Sequence, residues 1–142
     1  MVECLYSGVI YSIPKTIIER ILARKRCVFV KYSSHQLKKR SKISIKPGMR
    51  IYLYASGSGK LVLGDAKINR LDYLDYKSTL SKYKGRLMFS EKEFMDYAKG
   101  RETKTALILE ISQITRYSTP LRLKKPINMG GLLIKDLKSH LL

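Results

Sequence analysis

The segment spanning residues 46–68 constrains the fold more than any other part of this sequence. Two runs rich in β-branched, aromatic and aliphatic residues are separated by a Gly-Ser-Gly sequence at positions 57–59 and preceded by Pro47-Gly48. Turn residues beside such runs predict a β-hairpin. Because two strands alone are marginally stable in water, we expect the rest of the chain to cover the apolar face of this hairpin.

Alternation along the first strand of the hairpin predicts two different faces. One face carries Met49, Ile51, Leu53 and Ala55, and the other carries Arg50, Tyr52, Tyr54 and Ser56. We expect the first face to seal a core and the second to be free to meet a partner.

Length and composition predict a single domain over residues 1–142, since 44% of the residues are hydrophobic and can form a core. The formal net charge is +18, from 29 Lys and Arg against 11 Asp and Glu. So large an excess destabilises the compact state by self-repulsion, and a polyanionic partner explains it best. A Lys-rich surface of the thermophilic kind is the alternative, but such surfaces usually carry comparable Glu.

Several classes of site are not indicated. Cys4 and Cys27 have neither pairing nor metal spacing, and His35 and His140 match no zinc signature, so we expect no metal, no cofactor and a buried, reduced Cys27. No apolar run approaches the ~18 residues of a membrane span, and no secretory signal is present. We therefore expect a soluble cytoplasmic protein that does not bind membranes, with a monomer as the simplest state.

Other segments predict the remaining elements. Residues 8–13 alternate as a strand, Pro14 suits the first turn of a helix that ends near Arg26, and residues 27–32 form an apolar strand. A capping box at residues 90–93 begins a helix that ends at Gly100. The remaining expectations are a strand tail and an irregular or helical crossover at 69–84, a strand at 105–114, a Gly-rich turn at 128–131 and a short terminal helix carrying Leu137 and Leu141.

The strongest functional signal is an acid-free window between Glu19 and Asp65, which contains twelve of the 29 cations. Its centre, residues 33–46, is predicted to be an exposed basic loop. Tyrosines and a histidine are interleaved with the cations of this window. Cations neutralise phosphates and aromatic faces stack on exposed bases, so the pattern predicts nucleic-acid binding. The alternative is that Tyr52 and Tyr54 cover a barrel wall and the lysines are merely solvated.

Enzyme motifs are weak by comparison. The Gly-Ser-Gly-Lys sequence ending at Lys60 fails as a phosphate-binding loop, because Tyr54 and Leu61 stand where glycine and Ser or Thr are required. Lys60 remains a candidate phosphate contact at the hairpin tip. The two histidines imply no catalytic triad, and the acidic residues form no hydrolase pair.

The order of these elements resembles the PUA-like superfamily, and within it an uncharacterised archaeal family close to the ASCH and EVE domains. The segments that carry the resemblance are residues 13–15, 28–33, 46–48, 51–56, 64–68, 90–101 and 126–131. The resemblance implies an α+β fold, a mixed and mostly antiparallel β-barrel of five to six strands with two or three short helices. It also implies a cleft beside the first helix and the following strand, where such domains commonly bind RNA or modified bases.

By position, the resemblance places Lys25, Lys31, Tyr32, Ser33, Tyr54 and Ser56 in that cleft. Some ASCH relatives are metal-independent ribonucleases or nucleoside amidohydrolases, whose helix-end motif is similar to Gly-x-Lys-x-x-Glu-x-Arg. Here Ala23, Lys25, Val28 and Val30 occupy the four positions, so only the lysine is kept.

Our first hypothesis is therefore a module that binds nucleic acid, with RNA favoured over DNA. The predicted contacts are Lys25, Lys31, Tyr32, Ser33, His35, Lys38, Lys39, Arg40, Lys42, Tyr54, Ser56, Lys60 and Arg122. The second hypothesis is a metal-independent ribonuclease or nucleoside amidohydrolase that uses Lys25, Lys31 and Tyr32. A third is an adaptor whose basic face docks an acidic protein.

Overall fold

A computed structural model describes residues 6–32, 45–57, 59–127 and 131–142 of the chain. In chain order its elements are β1 (Gly8–Ile13), α1 (Lys15–Leu22), β2 (Arg26–Lys31), β3 (Arg50–Ala55), β4 (Leu61–Leu74), α2 (Tyr76–Tyr83), α3 (Glu91–Ala98), β5 (Ala106–Arg122), β6 (Leu132–Ile134) and a 3₁₀ turn (Lys138–His140).

The six strands form one sheet in the order β2-β5-β4-β3-β1-β6. All neighbouring strands are antiparallel except β1 and β3, which run parallel. In this order β1 lies between β3 and β6. The sheet curls until the Tyr11 ring of β1 stacks on Phe29 of β2, with ring centroids 5.3 Å apart. This mixed, mostly antiparallel sheet with its helices confirms the predicted α+β class, although β2 and β6 remain edges and do not close the predicted barrel.

The predicted hairpin is formed by β3 and β4, paired from Arg50 with Lys67 to Ala55 with Leu61. Its two strands differ greatly in length, because β4 continues for 14 residues along β5. Gly64 lies where β4, β5 and α1 approach most closely: a Cβ there would lie 2.3 Å from the Thr115 carbonyl oxygen. Only glycine fits at this position without displacing the neighbouring strand.

The core lies between the inner face of the sheet and α1. Ile17, Ile18 and Ile21 form the apolar stripe of α1, and all three are buried. The apolar face of β3 is buried as expected, and Cys27 is free and buried.

A second cluster covers part of the opposite face of β3, where the sequence predicted an open surface. It consists of Ile10, Tyr54, Val62, Leu123 and Ile134. The prediction that Tyr54 faces a partner is wrong: its side chain is only 5% exposed, because β6 and the end of β5 cover it. For Tyr54, the alternative of a tyrosine covering the sheet wall describes the structure.

Two further elements differ from expectation. The strand predicted at 105–114 extends to Arg122, and it passes Pro120 at an irregularity of the β4–β5 pairing, where no ladder hydrogen bond from the proline is needed. Leu137 and Leu141 flank a 3₁₀ turn of three residues instead of lying in a terminal helix. The crossover after β4 is helical, as α2, and the capping box of α3 is present as predicted.

No helix in the described parts of the chain is long and apolar enough to cross a membrane. Within the same residues, no group of His, Cys, Asp and Glu side chains could hold a metal ion.

Candidate nucleic-acid interface

A cleft of about 260 Å³ opens where the end of β1, the end of β2 and the segment leading into α3 meet. We call it the aromatic cleft. Its lining residues are Ser12, Ile13, Pro14, Phe29, Val30, Lys31, Met88, Phe89 and Tyr97. It lies near the start of α1 and the end of β2.

Local sequence explains how α3 reaches this cleft. Before α3, the chain pairs with β2: the Val28 N–H donates to the Arg86 carbonyl at 2.9 Å, and the Met88 N–H donates to the Val28 carbonyl at 2.9 Å. Two residues later the Ser90 hydroxyl accepts from the Glu93 N–H, and α3 begins. The strand-like pairing and the cap together fix Phe89 and Tyr97 against the end of β2.

Aromatic rings form one wall of the cleft. The Tyr97 ring lies 5.1 Å from Phe89 and 5.3 Å from Tyr32, measured between centroids. The Tyr32 N–H donates to the Tyr97 hydroxyl at 3.0 Å, which holds the two rings in this arrangement. The Arg101 guanidinium lies 5.0 Å from the centroids of both Tyr32 and Tyr97, within cation–π range.

Lys31 is the buried cation of the cleft, only 9% exposed. Burial, and to a lesser extent the charge of Arg101, lowers the pKa of the Lys31 ammonium. Its ammonium lies 6.0 Å from the Tyr11 ring, and among the described residues no carboxylate forms an ion pair with it. A buried cation without a counter-charge is costly, so an anion that enters here would relieve that cost.

Two buried hydroxyls near this lysine lack hydrogen-bond partners within the part of the chain that is described, those of Tyr11 and Tyr32. Desolvation raises the pKa of both phenols, so they stay protonated and can donate. Buried polar atoms are rarely left unpaired in native structures. Neither tyrosine belongs to the lining of the cleft, so both hydroxyls lie behind its surface.

An ion pair braces the cleft from outside. The Arg20 guanidinium of α1 donates to both carboxylate oxygens of Glu93 on α3 and to the Met88 carbonyl at 3.0 Å. The hydrogen bond from Arg20 and the backbone bond at Ser90 lower the pKa of Glu93 to about 2. This brace joins the helices on the two sides of the opening.

The structure brings some of the predicted contacts to the cleft. Lys31 lines it, and Tyr32 lies directly behind Tyr97. Ser56 lies beside the β1 wall, because its N–H donates to the Ile13 carbonyl at 3.1 Å. Lys60 and Arg122 meet at the hairpin tip, where the Arg122 guanidinium donates to the Gly59 carbonyl at 2.9 Å.

Other predicted contacts lie elsewhere. Lys25 is exposed in the turn before β2, at the opposite end of that strand from Lys31, so the proposed set of Lys25, Lys31 and Tyr32 is not assembled. Tyr54 is buried in the second cluster. Six predicted contacts lie outside the described residues: Ser33, His35, Lys38, Lys39, Arg40 and Lys42.

Sequence reasoning missed Phe89, Tyr97 and Arg101. Tyr97 occupies a helical apolar position, which predicts core packing, and Arg101 follows the glycine that ends the helix. Nothing local to residues 89–101 shows that they pack against the end of β2. The only sequence signal was Arg101, a cation shortly after the end of the helix that carries Tyr97.

Comparison with known proteins gives a family and a fold. The family described as "Domain of unknown function (DUF365)" matches residues 6–136. The crystal structure of ASCH from Zymomonas mobilis is similar with a TM-score of 0.75 at 17% identity, covering 94% of this chain and 91% of that one. A mutant of the same ASCH protein gives a TM-score of 0.67 at 19% identity, covering 84% and 77%.

The hypothetical protein PH0355 is similar with a TM-score of 0.51 at 19% identity, covering 72% of this chain and 95% of that one. No curated protein matches the chain significantly. At these identities the similarity shows a shared fold, that of the ASCH structures, which agrees with the predicted PUA-like fold class.

Proposed function

The chain belongs to the DUF365 family, and we propose that it is a nucleic-acid-binding module that holds one base of a single-stranded RNA in the aromatic cleft. The observation that carries this proposal is Lys31, a buried ammonium without a carboxylate partner among the described residues, at the edge of a cleft walled by aromatic rings. Such a site matches a ligand that joins a planar ring to an anionic phosphate.

The size of the cleft favours a single base. Ligand pockets usually occupy about 300–1,000 Å³, and this cleft of about 260 Å³ lies just below that range. Tyr97 and Phe89 would supply stacking surface. A base can enter only after leaving its stack, which favours single strands, loops and modified bases over an intact duplex.

The basic window supports the same ligand. The predicted loop at residues 33–46, together with Lys60, Arg122 and Ser56, would hold the phosphate backbone outside the cleft. These contacts carry no sequence information, whereas the cleft would select the base. RNA is preferred to DNA because sequence-specific recognition of RNA commonly targets unstacked, single-stranded bases.

A binding panel tests the proposal: single-stranded, duplex and base-modified oligonucleotides at two salt concentrations. We expect preference for single strands and a log–log salt slope of ~0.7 per neutralised phosphate. Lys31→Met should lower the affinity about tenfold. The control is Lys138→Met, an exposed lysine on the 3₁₀ turn. Equal affinity at both salt concentrations, or equal affinity of the Lys31 and Lys138 variants, would contradict the proposal.

The basic loop has its own test. Alanine at Lys38, Lys39 and Arg40 together should weaken binding about equally for all sequences, because phosphate contacts do not discriminate among bases. A loss confined to particular sequences would instead assign base contacts to the loop.

One observation favours a second candidate, a metal-independent ribonuclease or nucleoside amidohydrolase. The lowered pKa of Lys31 brings its ammonium closer to the range of a general base or acid, and Tyr32 lies beside it. Incubation of RNA or an N-acylated nucleoside with the pure protein in EDTA decides the question. Products that disappear with Lys31→Met would establish this activity, and intact substrate would leave binding alone.

A further inference from the structure

A cavity of about 580 Å³ lies at the other end of β2 from the aromatic cleft. We call it the arginine pocket. It is lined by Arg24, Arg26, Cys27, Val28, Asn69, Gly85, Arg86, Glu110 and Ile111. Neither the binding hypothesis nor the cleft uses these residues.

One arginine of this pocket, Arg24, has its guanidinium fixed by hydrogen bonds. Arg24 donates from Nη1 to the Leu87 carbonyl at 2.7 Å and to the Cys27 sulfur at 3.6 Å, which leaves its other nitrogens free to donate elsewhere. Arg86 is fixed at its main chain, since its carbonyl accepts from the Val28 N–H. Arg26 is exposed and forms no ion pair with any described residue. A preorganised guanidinium loses little freedom when it binds an anion.

The charge balance of the pocket is positive. Glu110 is the one carboxylate in its lining, and it accepts a hydrogen bond from the Tyr83 hydroxyl at 2.9 Å. Its ion pairs are long, 3.9 Å to Arg70 and 4.0 Å to Arg86. Three arginines therefore face the cavity against one carboxylate that is already engaged.

The floor of the pocket is apolar, formed by Cys27, Val28 and Ile111, each at most 3% exposed. Water cannot approach from behind such a floor, so the field of the guanidinium groups is screened only from the open side. Planar guanidinium forks match the oxygens of a phosphate group in pairs.

A smaller hollow of about 300 Å³ has lining residues in common with both sites. It shares Arg24 and Gly85 with the arginine pocket and Phe89 with the aromatic cleft. Along β2, Arg26 of the arginine pocket and Lys31 of the aromatic cleft are five residue steps apart, about 16 Å at ~3.3 Å per residue.

We propose that the arginine pocket binds a phosphate group, and that this phosphate belongs to the same strand whose base occupies the aromatic cleft, a few nucleotides away. This inference rests on the proposed function for the identity of the strand. The pocket itself predicts only the phosphate chemistry, which a free nucleotide could also supply.

The test measures affinity against ligand length, from inorganic phosphate and a nucleoside monophosphate to single strands of about eight nucleotides. The variant Arg26→Ala/Arg86→Ala should reduce the affinity of the longest strand about tenfold and lower its salt slope by about 0.7. A monophosphate held in the aromatic cleft should bind equally to this variant and to the wild type. Arg26→Lys/Arg86→Lys keeps the charge and should restore the salt slope but not the full affinity.

Lys138→Ala and Lys135→Ala together are the matched control, since they remove the same charge near the opposite edge of the sheet. An equal loss in this control and in the arginine variant would overturn the inference. If the arginine variant weakens binding of monophosphate and inorganic phosphate as much as that of long strands, the pocket is a free-phosphate site and the shared strand is refuted. A third outcome is that single strands bind, that Lys31→Met leaves their affinity unchanged and that the arginine variant lowers it. In that case the proposed function fails and the phosphate pocket stands. If neither phosphate nor any strand binds, both fail.

Discussion

The two ends of β2 carry positive charge in different ways. At one end, Lys31 is buried among aromatic rings without a counter-charge in the described residues; at the other, three arginines surround an open pocket that also contains Glu110. Holding an unpaired ammonium in a low-dielectric site costs stability, whereas exposed guanidinium groups cost little. The cleft is thus suited to selecting a ligand and the pocket to attracting one.

Removal of an aromatic ring from the cleft should cause the largest loss of affinity for a single strand. Tyr97→Ala deletes the ring that contacts both Phe89 and Tyr32, and base stacking is worth about 1–3 kcal/mol per base. We expect an affinity loss of about tenfold to a hundredfold for single strands, measured by fluorescence anisotropy.

Tyr97→Phe serves as the control, because it keeps the ring and removes only the acceptor for the Tyr32 N–H. It should retain most of the affinity. If the alanine and phenylalanine variants lose equally, the hydroxyl and not the ring is what matters, and the stacking role is wrong.

Lys31→Met separates stability from binding. Because burial lowers the pKa of Lys31 in the folded chain, its charge is disfavoured there at neutral pH, and this cost is relieved as pH rises through the lowered pKa. The variant should melt a few degrees higher than the wild type at pH 7, with a difference that shrinks at alkaline pH. It should also bind RNA about tenfold less tightly.

The corresponding change in the pocket, Arg26→Met, should leave the melting temperature unchanged, since Arg26 is exposed. Calorimetry of the two variants therefore compares the sites directly. A destabilised Lys31→Met protein would show that the lysine is satisfied in the free chain, and the contrast between the two ends would disappear.

Glu110→Gln should slightly raise the affinity of the arginine pocket for a phosphate group. The amide can still accept from the Tyr83 hydroxyl, but it no longer repels a phosphate or pairs with Arg70 and Arg86. We expect long strands to bind up to about fivefold more tightly, with no change for ligands confined to the cleft. Titration calorimetry with a long strand and a monophosphate checks this, and weaker binding of the long strand would argue that Glu110 contacts the ligand.

The smallest effect is expected at the brace between α1 and α3. The pKa of Glu93 is lowered to about 2 from 4.5, so the stabilisation from its pair with Arg20 is complete above pH 4.5 and is lost as pH falls toward 2. Glu93→Gln should cost less than about 1 kcal/mol at pH 7, because both partners are partly exposed. The free energy of unfolding of this variant should change less between pH 7 and pH 2 than that of the wild type.

Glu91→Gln is the comparison for that measurement, since it removes a carboxylate from the same helix without breaking the Arg20 pair. Urea unfolding between pH 2 and 7 distinguishes the two. Equal pH dependence in both variants would mean that the brace does not contribute.

Much of the fold could be predicted because its signals are local. The β3–β4 hairpin follows from turn residues and alternation, and α3 follows from the Ser90–Glu93 capping box. The resemblance to PUA-like domains added the order in which such elements assemble. The extension of β5 through Pro120 could not be anticipated, since it depends on bulges in the pairing with β4.

The site was harder to predict from the sequence than the fold, because it depends on contacts between distant segments. Alternation along β3 correctly placed Tyr54 opposite the main core, but not under the second cluster that β6 completes. Lys25 and Lys31 are close in sequence, yet a strand separates them by its full length. The residue that packs against Tyr32, next to Lys31 in the chain, is Tyr97 of α3, 65 positions later, and no local pattern predicts that contact.

The position of β1 between β3 and β6 bears on how the protein is made. Gly8 pairs with Arg50 on one side and Ile134 on the other, so a growing chain on the ribosome can form the first of these pairings long before the second. Until β6 emerges, β1 presents an open edge to any other nascent chain, which is a route to aggregation. Such non-local pairing also slows folding. We therefore expect that deletion of the three residues of β6 leaves this edge of β1 unpaired and reduces the soluble yield.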